Sequence, residues 1–158
     1  MGSNPTPRTI TLLSAQNPSV SVLALRAFLF RVPEGLELLE YLAGFAERHG
    51  IGKAYISAIG SFSEATVAYY SFEEQRYVPI EVRERVELLS ATGNISLLNN
   101  KPFPHVHVVL GRKDGSTVGG HLLRGVVVLA EVYVQEVAGG VLERRPWKHG
   151  LTAWDIEG

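Results

Sequence analysis

The sequence contains no cysteine. Disulfides and thiolate metal sites are therefore excluded, and any metal must be held by His, Asp or Glu. It lacks any run approaching the roughly 20 apolar residues of a membrane-spanning helix. It also lacks an excess of either charge: 15 Lys and Arg against 16 Asp and Glu give a formal net charge of -1. No global field then favours nucleic acid or anionic lipid, and only a local basic patch remains open. The first residues, Met1 to Pro7, show neither the basic nor the apolar region of a signal peptide. Residues 1–7 read as a flexible leader and the cytoplasm as the default location. No internal repeat, low-complexity tract or linker divides the rest, so residues 8–158 read as a single domain.

What is present is an ordinary globular composition: 158 residues, 46% apolar and 20% charged, enough for a real core. Arg8 to Leu13 alternates weakly, as a short edge strand would, and Asn17-Pro18-Ser19 is a turn signal. Val20 to Val32 reads as a long strand ended by Pro33-Glu34-Gly35. Leu38, Leu39, Leu42, Phe45 and Ala46 then recur at three- and four-residue spacing, a buried helical stripe. Gly50 stands where a left-handed residue ends a helix. Beyond it the chain reads as strand. Lys53 to Ile59 stops at Gly60-Ser61. Ala65 to Phe72 follows, then Tyr77 to Val82, an edge strand by its Pro79. Val86 to Leu98 carries Gly93, a bulge signal. Val126 to Val137 is nearly all apolar and reads as central. Gly139-Gly140 turns the chain into short strands at Val141 to Arg145 and Leu151 to Ile156. The pattern predicts an α+β fold: a large, mainly antiparallel twisted sheet packed with one long helix at about residues 35–49.

Three of the five histidines fall in one hairpin, Pro102 to Leu123. His105 and His107 are spaced i, i+2 and so share a strand face. A two-residue Asp114-Gly115 turn would put His121 on the opposite face. A three-residue loop, Lys113-Asp114-Gly115 with Gly115 left-handed, pairs Arg112 with Ser116. Leu110 then faces Val118, Val108 faces Gly120, and Val106 faces Leu122, so the apolar residues share one face. That register pairs His107 with His121 and His105 with Leu123. Gly119 and Gly120 leave room above the sheet or host a bulge. Three imidazoles on rigid strands suit Zn²⁺, with a fourth position left over; Ni, Cu and Fe also take imidazole. Glu131, isolated in the apolar run, would need a partner if buried. It is a candidate fourth ligand, hydrogen-bond partner to an imidazole, or general base, against the plainer expectation of a strand residue at a sheet edge or subunit interface.

Other features read more plainly. Gly111 to Ser116 is a polar turn. Arg83, Arg85, Arg144, Arg145, Lys148 and His149 form two separated basic clusters, read as solvated edges. Ser14, Ser57 and Ser61 have no base beside them in sequence. Trp147 and Trp154 are expected to pack on the core or on a neighbouring subunit.

The run Pro104-His105-Val106-His107, then Asp114-Gly115, then Gly119-Gly120-His121-Leu122, resembles the plants-and-prokaryotes-conserved (PPC) domain. Ile59 to Thr66 looks like that family's Gly-Ser segment. Gly93-Asn94-Ile95-Ser96 stands where plant members show Gly-Arg-Phe-Glu, and the departures at Asn94 and Ser96 mark a prokaryotic stand-alone type. The resemblance covers about residues 20 to 137. It implies a compact α+β homotrimer whose His105, His107 and His121 bind a metal, zinc first. Plant members add an AT-hook that grips DNA, and bacterial relatives carry a DNA-binding label by extension. The AT-hook core is absent here, because Arg144-Arg145-Pro146 lacks its glycine. Three readings follow: a metal-binding, trimeric binding or regulatory module, with a small-molecule ligand open; a metal-dependent hydrolase or lyase with Glu131 moving protons; and a DNA-associated regulator.

Overall fold

The computed structural model describes residues 25–156. The leader, the strand expected at Arg8 to Leu13, the Asn17-Pro18-Ser19 turn, Ser14 and the first part of the strand expected at Val20 to Val32 lie outside them. Within the described residues, β1 is Ala27–Val32 and α1 is Leu38–His49. Five strands follow: β2 Ala54–Ser71, β3 Arg76–Val82, β4 Val86–Leu98, β5 Lys101–Gly111 and β6 Thr117–Glu136. A small hairpin, β7 Arg144–Pro146 and β8 Thr152–Trp154, closes the chain. The α+β expectation holds: one α-helix lies against an antiparallel sheet.

The helix forms where its stripe predicted. Glu37 caps it, its side chain accepting from the Glu40 N–H at 2.7 Å, and Gly50 ends it at φ 63°, ψ 35°. The second Glu37 oxygen accepts from the Gly125 N–H at 2.9 Å, which ties the helix start to β6. Leu38, Leu42, Phe45 and Ala46 are buried. Each large side chain of that face contributes about 1.5–3 kcal/mol on burial. Phe45 stacks on Phe30 of β1 at 4.3 Å.

The sheet order is β1-β6-β5-β4-β2-β3, and β6 pairs β2 as well. Strands β6, β5, β4 and β2 therefore close into a ring. Two strands are long enough to serve two neighbours on one edge. Along β6 that edge takes β5 at Thr117–His121 and β1 at Ala130–Gln135, while β2 occupies the other edge. The apolar core fills the ring and the space beneath the helix. Pro79 does lie on an edge strand, since among the described residues β3 pairs only with β2.

Three expectations are corrected. Gly60-Ser61 does not end a strand; β2 runs on through it with a register shift. Gly60 has φ 149°, and a Cβ there would meet the Leu129 carbonyl oxygen at 2.0 Å. The residue is a close crossing with β6, not a stop. The bulge expected at Gly93 lies instead between Leu88 and Ser90. The second half of the histidine hairpin and the apolar strand at Val126 are one strand, β6.

Candidate metal centre

The hairpin has the three-residue loop. The Arg112 N–H donates to the Ser116 carbonyl at 2.8 Å, and Gly115 sits at φ 84°. Pairing then runs Leu110 with Val118, Val108 with Gly120, and His107 with His121. Val106, Val108 and Leu110 are buried, so the histidines occupy the other face. The ladder between β5 and β6 stops at His107–His121, and the expected pairs Val106–Leu122 and His105–Leu123 do not form. From His121 onward β6 follows β2 instead, His121 pairing with Ala68. Gly120 permits that crossover: at φ 155°, a Cβ would meet the Ala68 carbonyl oxygen at 2.5 Å.

The result is a compact triad. The three ring centroids lie 4.9 to 5.4 Å apart. One ring nitrogen from each of His105, His107 and His121 falls within 4.8 Å of the others. His107 is exposed and the other two half-buried. Tyr77 stacks on His121 at 4.4 Å and 23°. The Nδ1 atom of His121 is buried and lacks any hydrogen-bond partner. A buried imidazole nitrogen in that condition suits a metal ion, which accepts its lone pair.

Arg144, expected on a solvated edge, is instead buried behind His105 and only 7% exposed. Its Nε donates to Ser96 Oγ at 2.9 Å, and its Nη2 to Asn94 Oδ1 at 2.9 Å. Nη2 also meets His105 Nδ1 at 3.0 Å. Phe103 and Trp154 lie against the guanidinium, 5.4 and 5.5 Å from its carbon. Burial, then Arg144, then the other two imidazoles bring the His105 pKa down to about 4. Burial, then His107, then Arg144 bring His121 to about 4 as well. Both rings are thus neutral near pH 7, the form that ligates metal.

The Plants and Prokaryotes Conserved (PCC) domain matches residues 20–138. The chain belongs to that family. Among solved structures, the PCC chain is 41% identical to a plant- and prokaryote-conserved protein from Pyrococcus horikoshii, covering 88% of this chain and 98% of that one at TM-score 0.82. A metal-containing protein from Archaeoglobus fulgidus is also 41% identical, with 84% and 94% covered and TM-score 0.79. A Bacteroides thetaiotaomicron protein, provisionally named as DNA-binding, is 28% identical, with 82% and 91% covered and TM-score 0.76. The PCC chain is also 27% identical over 126 residues to the Bifunctional protein GlmU of Synechococcus sp. (strain JA-3-3Ab), spanning only 19% of that protein's length.

Not every residue singled out in the sequence joins the PCC site. Glu131 is exposed and is not part of the cluster. It pairs with Ile59 on one side and Arg31 on the other, ten residues of strand from His121. That is on the order of 30 Å along extended chain. The polar hairpin tip is internally satisfied: Asp114 accepts from the Ser116 N–H at 2.9 Å and from its hydroxyl at 2.6 Å. Trp154 packs on Arg144, whereas Trp147 is exposed. Arg144 itself was missed as a site residue. Its three side-chain partners lie 39 to 50 residues away in sequence, so no local pattern announces it.

Proposed function

We propose that this PCC-domain chain is a metal-binding module that holds a divalent transition ion, zinc first, through His105, His107 and His121. The convergence of three imidazoles within 4.8 Å carries the reading. The orphaned Nδ1 of His121 and the metal-containing Archaeoglobus relative support it. Such an ion would supply Lewis-acid polarisation of a bound oxygen. The chain's own part is to hold His105 and His121 neutral and to wall one side with Tyr77 and Arg144. In this reading the module is a cytoplasmic homotrimer with a binding or regulatory role. The hydrolase or lyase alternative keeps the triad, but Glu131 is too far away on the same chain to move protons there. The DNA alternative draws on the name of the Bacteroides relative. It finds little in a chain of net charge -1 that buries Arg144.

Purified without added metal and dialysed, the protein should carry close to one transition ion per chain by elemental analysis. His107→Ala should lower that content about tenfold or more, since one ligand of three is gone. Metal content indifferent to the substitution would sink the reading.

A further inference from the structure

A cavity of about 140 Å³ opens beside the triad, lined by Tyr77, Phe103, His105, His121, Arg144 and the Gly150–Thr152 segment. Among the described residues no carboxylate lines it. Among the described residues Arg144 makes no ion pair with Asp or Glu. A buried guanidinium without an anion is costly. A divalent ion in the same cavity would bring the local charge from one to three. An arginine has five N–H donors. Nε and Nη2 spend theirs on Ser96, Asn94 and His105. Nη1 meets only the Thr152 carbonyl, at 3.4 Å. Among the described residues one Nη1 N–H is therefore without an acceptor. The remaining walls are aromatic or apolar: Phe103, Tyr77 and Leu151.

We propose that this cavity binds a small organic monocarboxylate, its carboxylate on Nη1 of Arg144 and its apolar body against Phe103, Tyr77 and Leu151. The assignment goes beyond the metal reading, because among the described residues Arg144 lacks a counter-ion with or without an ion on the histidines. A charge-assisted contact to guanidinium is about twice as strong as a neutral one, and the apolar walls favour an organic body over a compact, strongly hydrated anion.

Calorimetric titration of metal-depleted protein with benzoate, butyrate, inorganic phosphate and benzamide tests it. Benzoate and butyrate should bind saturably at one site per chain, at least tenfold more tightly than phosphate or neutral benzamide. Arg144→Lys should weaken benzoate at least tenfold, because the planar fork is lost. Phe103→Leu should weaken benzoate while leaving phosphate little changed, a check that stands even if the Arg144 variant fails to fold. Benzamide binding as well as benzoate, phosphate binding best, or no carboxylate binding in metal-depleted protein would each overturn the proposal. The two readings fail separately: zinc capture is read by elemental analysis, and carboxylate capture is read without metal.

Discussion

An arginine donates and never accepts, so the 3.0 Å contact from Arg144 Nη2 makes His105 Nδ1 an acceptor. The His105 proton then sits on Nε2. For Nε2 to serve as a metal ligand that proton would have to move to Nδ1, against the Arg144 donor, and the ion would lie near a fixed positive charge. Arg144 therefore opposes the ion that the histidines attract. Arg144→Gln removes the charge, and an amide oxygen can accept from a protonated Nδ1. Zinc affinity, measured by competition with a chelator, should rise about tenfold or more, since nearby like charges at an effective dielectric of 20 repel by more than 1.4 kcal/mol. A fall in affinity with an unchanged unfolding midpoint would contradict this. The two low histidine pKa values carry a second consequence. Folded His105 and His121 titrate near 4, below the 6.5 of an unfolded histidine. Between those values the unfolded chain binds more protons, so stability is complete above about pH 6.5 and falls as pH drops toward 4. Both rings are only half-buried, so solvent screening reduces the effect to about 1 kcal/mol each. Urea unfolding of metal-depleted protein at pH 7 and 4.5 should show the loss, and His105→Gln should shrink it. At this scale the histidines were legible because they share one hairpin. Arg144 was not, because Asn94 and Ser96, the two departures from the plant pattern, become its acceptors only after folding.

The β5–β6 hairpin and α1 were legible because local chemistry decides them. The loop demands a left-handed Gly115, the valines demand one face, and Glu37 and Gly50 bound an amphipathic stripe. The long strands were not, because a glycine that ends a strand and a glycine that lets two backbones cross look the same in sequence. Gly60 is the second kind. Gly60→Ala would drive a methyl into the Leu129 carbonyl, 2.0 Å from its ideal position, at a backbone angle that L-residues avoid. We expect a loss of about 2–4 kcal/mol in urea unfolding. The β2–β6 contact closes the ring and sends β6 away from β5 at His121. The same change should therefore weaken zinc capture, although Gly60 is remote from the triad. Wild-type stability in Gly60→Ala would mean that the crossing is not needed.

Closing the ring leaves one sheet face outside it. On β1, β2 and β6 the outward residues include Leu29, Tyr55, Ile59 and Leu129, with Leu29 78% and Ile59 56% exposed. Cross-strand register sets Leu29 beside Tyr133 and Ile59 beside Glu131, with Arg31 facing Glu131 from β1. Exposed apolar residues set around the opposed Arg31 and Glu131 are what a subunit contact would cover. If that face is covered by another subunit, Glu131 takes the interface position that competed with catalysis in the sequence. A stable contact needs roughly 800 Å² from each partner, which a three-strand face can supply. The expected assembly is a trimer. Ile59→Arg places an unpaired charge at the centre of that face, and burying it would cost several kcal/mol. Multi-angle light scattering should show wild-type protein at three times the chain mass and Ile59→Arg at one. The isolated variant should keep its metal if all three ligands come from one chain, as they do in the 4.8 Å cluster. A wild-type monomer would remove the reason for that exposed face. A monomeric variant that loses its metal would mean that the triad is held in place across the interface.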